Sequence, residues 1–336
     1  MASKSLLRAE NLVKHFKAQK SAIQSLSGVP DKFVKATDDV SIDIRKGEIL
    51  SIVGETGSGK TTLGRLLMRL LEPTSGKVYF EDNDVTTLNS SELRQFRKNM
   101  HIVFQDPFAS LNPRITIGDS VKLPLVAHDI GDSDDERQDM VLNMLEKVGL
   151  SPASQFVEKY PHEFSGGQRQ RIGVARALIA NPKFIVADEP VSSLDVSIRA
   201  QILNLLVDLK SEFDLTYLII SHDLNMVRYM SDRIAVMYLG KIVEIGDSET
   251  IFNSPRHPYT RSLLSSIPVP DPDVKFEPMR LSGEMPSPID PPSGCRFHTR
   301  CPFAVDSCYT DEPSLSKVSK DHFSACPVDP LAKKTK

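Results

Sequence analysis

Between an apolar run, Ile49 to Val53, and a stretch from Thr61 to Leu71 that reads as a helix, the chain carries Gly54-Glu55-Thr56-Gly57-Ser58-Gly59-Lys60-Thr61, followed by Thr62. No other feature limits the fold as strongly. Within eight residues a strand must end, the backbone must turn, and a helix must begin. The glycines let backbone N–H groups turn inward around phosphate oxygens. The start of the helix adds its positive dipole end. Lys60 brings a full charge to the β- and γ-phosphates, and the hydroxyl of Thr61 is placed to ligate Mg²⁺. The plainer explanation is a glycine-rich turn with an incidental lysine, and the strand–turn–helix context argues against it.

The rest of the chain reads as an α/β domain built around that turn. Residues 39–53 form two strands about Lys46-Gly47, and strand-like runs recur at Val78–Phe80, His101–Phe104, Phe184–Ala187, Tyr217–Ile220 and Ile234–Tyr238. Helix-like segments between them predict a largely parallel sheet. From about 110 to 182 no strand is expected, so this interval reads as a helical insertion. Its acidic stretch, Asp129 to Asp139, is a solvated surface. Eight prolines between Pro268 and Pro292 predict a stiff, extended connector, and a basic tail closes the chain at 333–336. No internal repeat is present, so the chain carries one catalytic unit.

Composition excludes several classes. Lys and Arg total 41 against 44 Asp and Glu, for a net charge of −3, which gives no overall attraction to nucleic acid or anionic lipid. No apolar run approaches the roughly 18 residues of a membrane span. Met1 to Glu10 lacks the long apolar core of a signal peptide, so the chain is expected neither to be secreted nor to cross a bilayer.

Other residues gain meaning beside the lysine loop. Phe184 to Ala187 is an apolar strand ending in Asp188-Glu189, and acidic groups at the C-terminal end of a parallel strand lie where such sheets bind ligands. Asp188 is placed to orient Mg²⁺ through water, and Glu189 to polarise the water that attacks the γ-phosphate. Ser165-Gly166-Gly167-Gln168 precedes a helix from Arg169 to Ala180, offering an N-cap and open backbone N–H groups. A full site and a complementary half-site in one chain point to head-to-tail pairing. Gln105 and His222 each follow a predicted strand, and Asp195 lies seven residues after Asp188. Taken singly these read as a surface Asp-Glu, a helix cap, a loop Gln, a satisfied His and a capping Asp.

Together the motifs GETGSGKTT (54–62), Gln105, FSGGQ (164–168), FIVADEP (184–190), SLD (193–195) and His222 resemble the ATP-binding subunit of an ATP-binding cassette (ABC) transporter, over roughly residues 6–265. The signature usually begins with Leu where this chain has Phe164. The resemblance implies a P-loop NTPase fold: a RecA-like core sheet with an antiparallel β-subdomain and a helical subdomain, plus a small cysteine-containing C-terminal extension. It implies a nucleotide-binding domain over 1–258, with the helical part at about 110–182, and an extension over 259–336. It implies ATP and Mg²⁺ as ligands, with Thr61, Gln105 and Asp188 on the metal and Glu189, His222 and Gln105 catalytic. By the same resemblance Phe16 stacks on adenine from a loop ahead of the sheet, although Lys17 to Phe33 forms an unusual insertion and a core phenylalanine is the simpler reading.

DPFASLNPR (106–114), HPYTRSLL (257–264) and GCRFHTRCP (294–302) further resemble the peptide/nickel import subfamily, and the loop at 17–33 with GRLLMRLLEPTSG (64–76) resembles its second, F-type member. This implies ATP-driven import of oligopeptides or dipeptides, with oligosaccharides or nickel as alternative cargo. The implied partners are a paralogous ATPase subunit in a heterodimer, two transmembrane permease subunits and an extracellular solute-binding protein, but no nucleic acid. The implied location is the cytoplasmic face of the membrane. A soluble ABC protein acting on DNA fits less well, because the 105 residues from Lys60 to Ser165 (165 minus 60) leave no room for a long coiled coil.

All four cysteines, Cys295, Cys301, Cys308 and Cys326, fall in the last 42 residues, which argues for one local site rather than a disulfide framework. Three readings stay open. The resemblance implies a four-iron–four-sulfur (4Fe-4S) cluster, four thiolates equally suit a structural zinc, and the third reading is reduced thiols in a mobile tail. His298 is a possible substitute ligand.

Overall fold

The computed structural model describes residues 4–18, 30–267, 278–279 and 281–328. Its strands in chain order are β1 (Ser5–Lys17), β2 (Phe33–Arg45), β3 (Ile49–Val53), β4 (Ser75–Phe80), β5 (Asn83–Asp84), β6 (Met100–Val103), β7 (Phe184–Asp188), β8 (Thr216–Ser221), β9 (Arg233–Tyr238), β10 (Lys241–Asp247), β11 (Ser316–Ser319) and β12 (His322–Ser324). Its helices are α1 (Lys60–Leu67), α2 (Ser90–Phe96), α3 (Pro107–Ser110), α4 (Ile117–Ala127), α5 (Asp134–Lys147), α6 (Gly166–Leu178), α7 (Val196–Phe213), α8 (Leu224–Met230), α9 (Ser248–Asn253), α10 (Pro258–Ser265) and α11 (Ser307–Thr310). The chain divides into two compact units, a first centred on Ile44–Ile49 and Thr87–Ile220 and a second on Leu6–Asp43, Leu50–Thr86 and Ser221–Lys336. None of the described helices is long and apolar enough to cross a membrane.

In the first unit β6, β7 and β8 lie side by side and parallel, with Val103 opposite Ala187 and Asp188 opposite Ile220. All five residues of β7 are buried, which is why it reads as an uninterrupted apolar run rather than an alternating one. The interval from 110 to 182 is helical, as expected, and holds no strand. Buried Ile117, Val121 and Leu125 recur every fourth residue along α4, which packs on α5 and α6. Each start is capped: Thr116 Oγ1 accepts from Asp119 N–H, and Ser133 Oγ from Glu136 N–H. The acidic stretch supplies Asp134, Asp135 and Glu136 to the first turn of α5, where negative charge complements the helix dipole.

The second unit holds the antiparallel β-subdomain that the resemblance implies, and further antiparallel strands beside it. Its small sheet runs β2-β1-β4-β5, with Leu7 opposite Phe80 and Ala9 opposite Val78. Among its described residues β3 and β9 pair in parallel, Val53 opposite Val236, and β10, β12 and β11 then follow antiparallel. The turn from β9 to β10 uses Leu239 and Gly240, both with positive φ (43° and 80°), and Tyr238 pairs with Lys241. Two residues in that conformation match the twist of a tight hairpin, but Leu-Gly lacks the usual Asn-Gly or Asp-Gly signal. The hairpin β11–β12 adds to β10 through Glu244 opposite Ser324. Glu244 is fully buried there. It accepts from the backbone N–H groups of Arg256 (2.6 Å) and His257 (3.0 Å) and is hydrogen-bonded to His322 Nε2 at 2.7 Å. A buried carboxylate persists only with such partners, and these tie the hairpin to the sheet.

The expected connector is partly outside the described residues, as are 19–29 of the insertion and the basic tail. Its described part is held rather than free: Lys35 N–H donates to the carbonyl of Pro288, and Met279 N–H to Ser265 Oγ.

Candidate functional site

The lysine loop occupies 54–59 between β3 and α1. Three of its glycines have left-handed φ: 153° at Gly54, 84° at Gly57 and 107° at Gly59. A Cβ on Gly54 would come within 2.2 Å of Met237 O, and one on Gly59 within 2.1 Å of Ala36 O. Backbone conformation and space therefore both demand glycine. Lys60 opens α1 as a buried residue, and its Nζ donates to the carbonyls of Gly54 (2.7 Å) and Glu55 (2.9 Å). The ammonium thus lies within the curl of the loop. Ser58 is fully buried, its hydroxyl without a partner, and Thr61 and Thr62 follow on the first turn of the helix.

In the first unit, Asp188 ends β7 with 5% exposure and Glu189 is the next residue. Glu189 sits at φ 47°, a conformation uncommon outside glycine, held by its N–H donating to Ile220 O at 2.8 Å. Backbone strain of this kind gathers at functional sites. Gln105, just beyond β6, donates from Nε2 to Glu189 Oε2 at 2.7 Å. Two residues 84 apart in sequence are thereby brought together. Ser165 caps α6: its Oγ accepts from Gln168 N–H, and Gln168 Oε1 accepts from Ser165 N–H. A Cβ on Gly167 would meet Ile198 at 2.5 Å, so that glycine also serves close packing against α7. Phe164 is buried, its ring 5.9 Å from that of Phe156, so the atypical first letter of the motif belongs to the core. Asp195 holds the N-cap position of α7 without a side-chain capping bond and is exposed.

His222 is exposed in the second unit, between the end of β8 and Asp223, which caps α8. Phe16 corrects one expectation. It lies within β1 rather than in a loop, 36% exposed, with Lys14 Nζ 5.2 Å from its ring centre.

Thr61, Gln105 and Asp188 each carry a hard oxygen, the donor type that Mg²⁺ takes. With Nε2 of Gln105 donating to Glu189, its Oε1 is an acceptor oxygen. The Thr61 hydroxyl and Asp188 carboxylate are of the same kind.

The cysteine segment corrects a second expectation. Cys295 and Cys308 are buried, Cys301 and Cys326 partly so, and all four are free thiols. Burial pushes the thiols of Cys295 and Cys301 up and that of Cys326 up to about 12, and neighbouring cysteines add to each shift. They therefore share a neighbourhood. Yet among the described residues no three Cys, His, Asp or Glu are arranged to hold a metal ion. Cys326 Sγ instead donates to Val328 O at 3.2 Å, and His298 Nδ1 turns back to Cys295 O at 2.9 Å. The residues as placed fit neither an iron–sulfur cluster nor a zinc ion. Such a site needs ligands that converge on one point, and these do not.

Sequence reasoning overlooked the residues around them. Arg300 Nη1 donates to Glu55 Oε1 (3.0 Å) and Oε2 (3.2 Å). Tyr259 Oη accepts from Glu55 N–H at 2.8 Å. Arg296 hydrogen-bonds Leu239 O and Asp38. The signal was present in HPYT and in the i, i+4 spacing of the two arginines, but it was masked by the cysteines beside them.

The chain is similar to known proteins along most of its length. The family described as ABC transporter matches residues 37–192, and the oligopeptide/dipeptide transporter C-terminal region matches 243–308. A putative peptide import ATP-binding protein of Brucella ovis is 51% identical over 97% of this chain and 98% of its own length. The oligopeptide transport ATP-binding protein AppF of Bacillus subtilis is 49% identical over 96% of each. Among solved structures, the dimeric post-hydrolysis state of the ATP-binding cassette MJ0796 bound to ADP and Pi has a TM-score of 0.63 at 31% identity, covering 72% of this chain and 98% of that one. The fold is that of an ABC ATPase cassette, mixed α/β with antiparallel and helical parts, and the chain belongs to the ATP-binding subunits of ABC transporters, within the branch that carries the oligopeptide/dipeptide C-terminal region.

Proposed function

We propose that this chain is the ATPase subunit of a peptide importer. The observation that carries the cargo is the match of residues 243–308 to the oligopeptide/dipeptide C-terminal region, beside relatives named for peptide import. Those names do not favour oligosaccharide or nickel. Residues 1–258 form the cassette and 259–336 the extension. The partners are two membrane subunits, a solute-binding protein and a second ATPase, a paralogue, with the chain on the cytoplasmic face.

Backbone N–H groups of 54–61 and the Lys60 ammonium bind the β- and γ-phosphates. Thr61, Asp188 and Gln105 Oε1 would hold Mg²⁺, which supplies neutralisation of charge developing on the phosphate oxygens. Gln105 Nε2 orients the Glu189 carboxylate, which takes a proton from water as the water oxygen attacks the γ-phosphorus and ADP departs. His222 contacts the γ-phosphate, and Phe16 stacks on adenine. Ser165 to Gln168, with Asp195 beside them, close on the nucleotide of the second ATPase subunit.

Glu189→Gln keeps the hydrogen-bonding shape and removes the base. It is expected to leave ATP binding intact and to reduce hydrolysis by roughly a hundredfold or more. Hydrolysis near the wild-type rate removes Glu189 from that role. Cargo is tested by reconstituting the complex with its binding protein and measuring ATPase stimulation. Peptides are expected to stimulate, and stimulation by nickel or sugars alone overturns the cargo.

A further inference from the structure

Within the second unit, three elements of the C-terminal region converge on the lysine loop. Tyr259 on α10 accepts from the N–H of Glu55. Met285 Cε lies 3.3 Å from where a Cβ on Gly57 would stand. Arg300, in the turn between Cys295 and Cys301, spans both carboxylate oxygens of Glu55. The carbonyl of Glu55 in turn accepts from Lys60 Nζ (2.9 Å) and Ser58 N–H (3.2 Å). One residue of the phosphate loop is thus gripped at its N–H, its side chain and its carbonyl.

The grip is rigidly mounted. Phe297, four residues on from Ser293 and 1% exposed, packs its ring 5.3 Å from Tyr238, 5.4 Å from Tyr259 and 5.7 Å from His257. Arg296 fastens the same turn to Leu239 O and Asp38. The Arg300 side chain is 9% exposed, against 30% for that of Glu55. Burial at Tyr259 pushes its phenol well above the usual range, so the hydroxyl remains protonated.

The position of Glu55 explains why such a device is useful. A carboxylate on the second residue of a loop that must receive a triphosphate repels its ligand unless its charge is answered. We infer that Arg300 and Tyr259 are positioning residues for ATP, forming a latch from the C-terminal region that neutralises Glu55 and sets the loop for phosphate. This rests on the ATP site proposed above. It also gives the HPYT and RFHTR sequences a role that needs no metal.

The test uses the full chain, titrated with a fluorescent ATP analogue, and the reconstituted complex for kinetics. Arg300→Ala is expected to raise the KM for ATP roughly tenfold, with kcat within about twofold of wild type, and the effect should shrink at high salt. Glu55→Gln in the Arg300→Ala background should restore most of the affinity, because the exposed charge is gone. A merely structural arginine cannot produce that rescue. Tyr259→Phe keeps the aromatic packing, removes the acceptor for Glu55 N–H, and should raise KM more modestly, which serves where Arg300→Ala folds poorly. Unchanged affinity in both Arg300→Ala and Tyr259→Phe, or no rescue by Glu55→Gln in a folded double variant, overturns the latch. If the wild-type chain itself fails to bind the analogue, it is the ATP site that fails.

Discussion

The lysine loop and the cysteine segment invite opposite treatment. Both are short and full of residues that a reader of sequence marks. In the loop, the marked residues are the working parts: Gly54, Gly57 and Gly59 adopt conformations that side chains resist, and Lys60 points into the curl. In the segment, the marked thiols do not converge on a metal, while Arg300 between them reaches the loop. The difference teaches where a motif is reliable. A phosphate cradle is made from consecutive backbone, so its spacing in sequence is its geometry. A four-cysteine site is made from side chains across 32 positions (326 minus 295, plus one), and spacing alone does not aim them at one point.

The comparison is broken most directly at Gly59. Its φ of 107° and the 2.1 Å approach to Ala36 O leave no place for a methyl group. Gly59→Ala is expected to weaken ATP binding by at least about a hundredfold, because the backbone N–H groups beyond it are displaced. Equilibrium titration of the full chain measures this. Binding within tenfold of wild type would mean the loop tolerates a change that its backbone forbids.

A smaller effect sharpens the comparison through pH. His257 is fully buried at the start of α10, its Nδ1 accepting from Tyr259 N–H at 3.1 Å. Burial pushes it down from 6.5 to about 4, against a weaker upward pull from Glu244. His101 in the first unit is lowered to about 4, first by burial and then by His128 and Arg176. Both groups are neutral in the fold and take protons more readily when unfolded. Their contribution to stability is therefore whole above pH 6.5 and is lost as pH falls toward 4, about 3 kcal/mol for each across that window. His257→Asn keeps a capping acceptor but does not titrate. Denaturant melts from pH 7 to 4.5 should be less steep in pH for this variant than for wild type. An unchanged slope would show that His257 does not stay neutral.

Much of the architecture was legible because its causes are local. The strands at 49–53, 184–188 and 216–221 are continuous apolar runs, and the helical interval from 110 to 182 carries its own caps at Thr116, Ser133 and Ser165. The antiparallel strands β10, β11 and β12 were missed, where the signal is not local. The Leu239-Gly240 turn lacks the common hairpin residues, and β11 is exposed throughout, with no apolar alternation to mark it. At the site, the loop and Asp188-Glu189 were readable, but the bond from Gln105 to Glu189 joins different strands and only the fold reveals it. Arg300 was hidden by its neighbours: reading the cysteines as ligands made the residues between them look like spacers.

The smallest effect tests that last point. If the thiols are packing groups, protein purified without oxygen should hold well under one iron or zinc per chain, and a chelator should leave its melting temperature unchanged. Cys326→Ser keeps a donor for Val328 O in place of the thiol, which bonds it at 3.2 Å, and is expected to shift stability by less than about 1 kcal/mol. Cys326 is the informative choice because its thiol is pushed furthest toward the protonated form, so a metal would have to overcome the most there. Stoichiometric metal that is lost in Cys326→Ser, with a steep fall in melting temperature, would make the segment a folded metal module. The two regions would then be alike after all, each legible from spacing, and the arginine latch would be mounted on a metal rather than on the aromatic cluster of Tyr238, Tyr259 and Phe297.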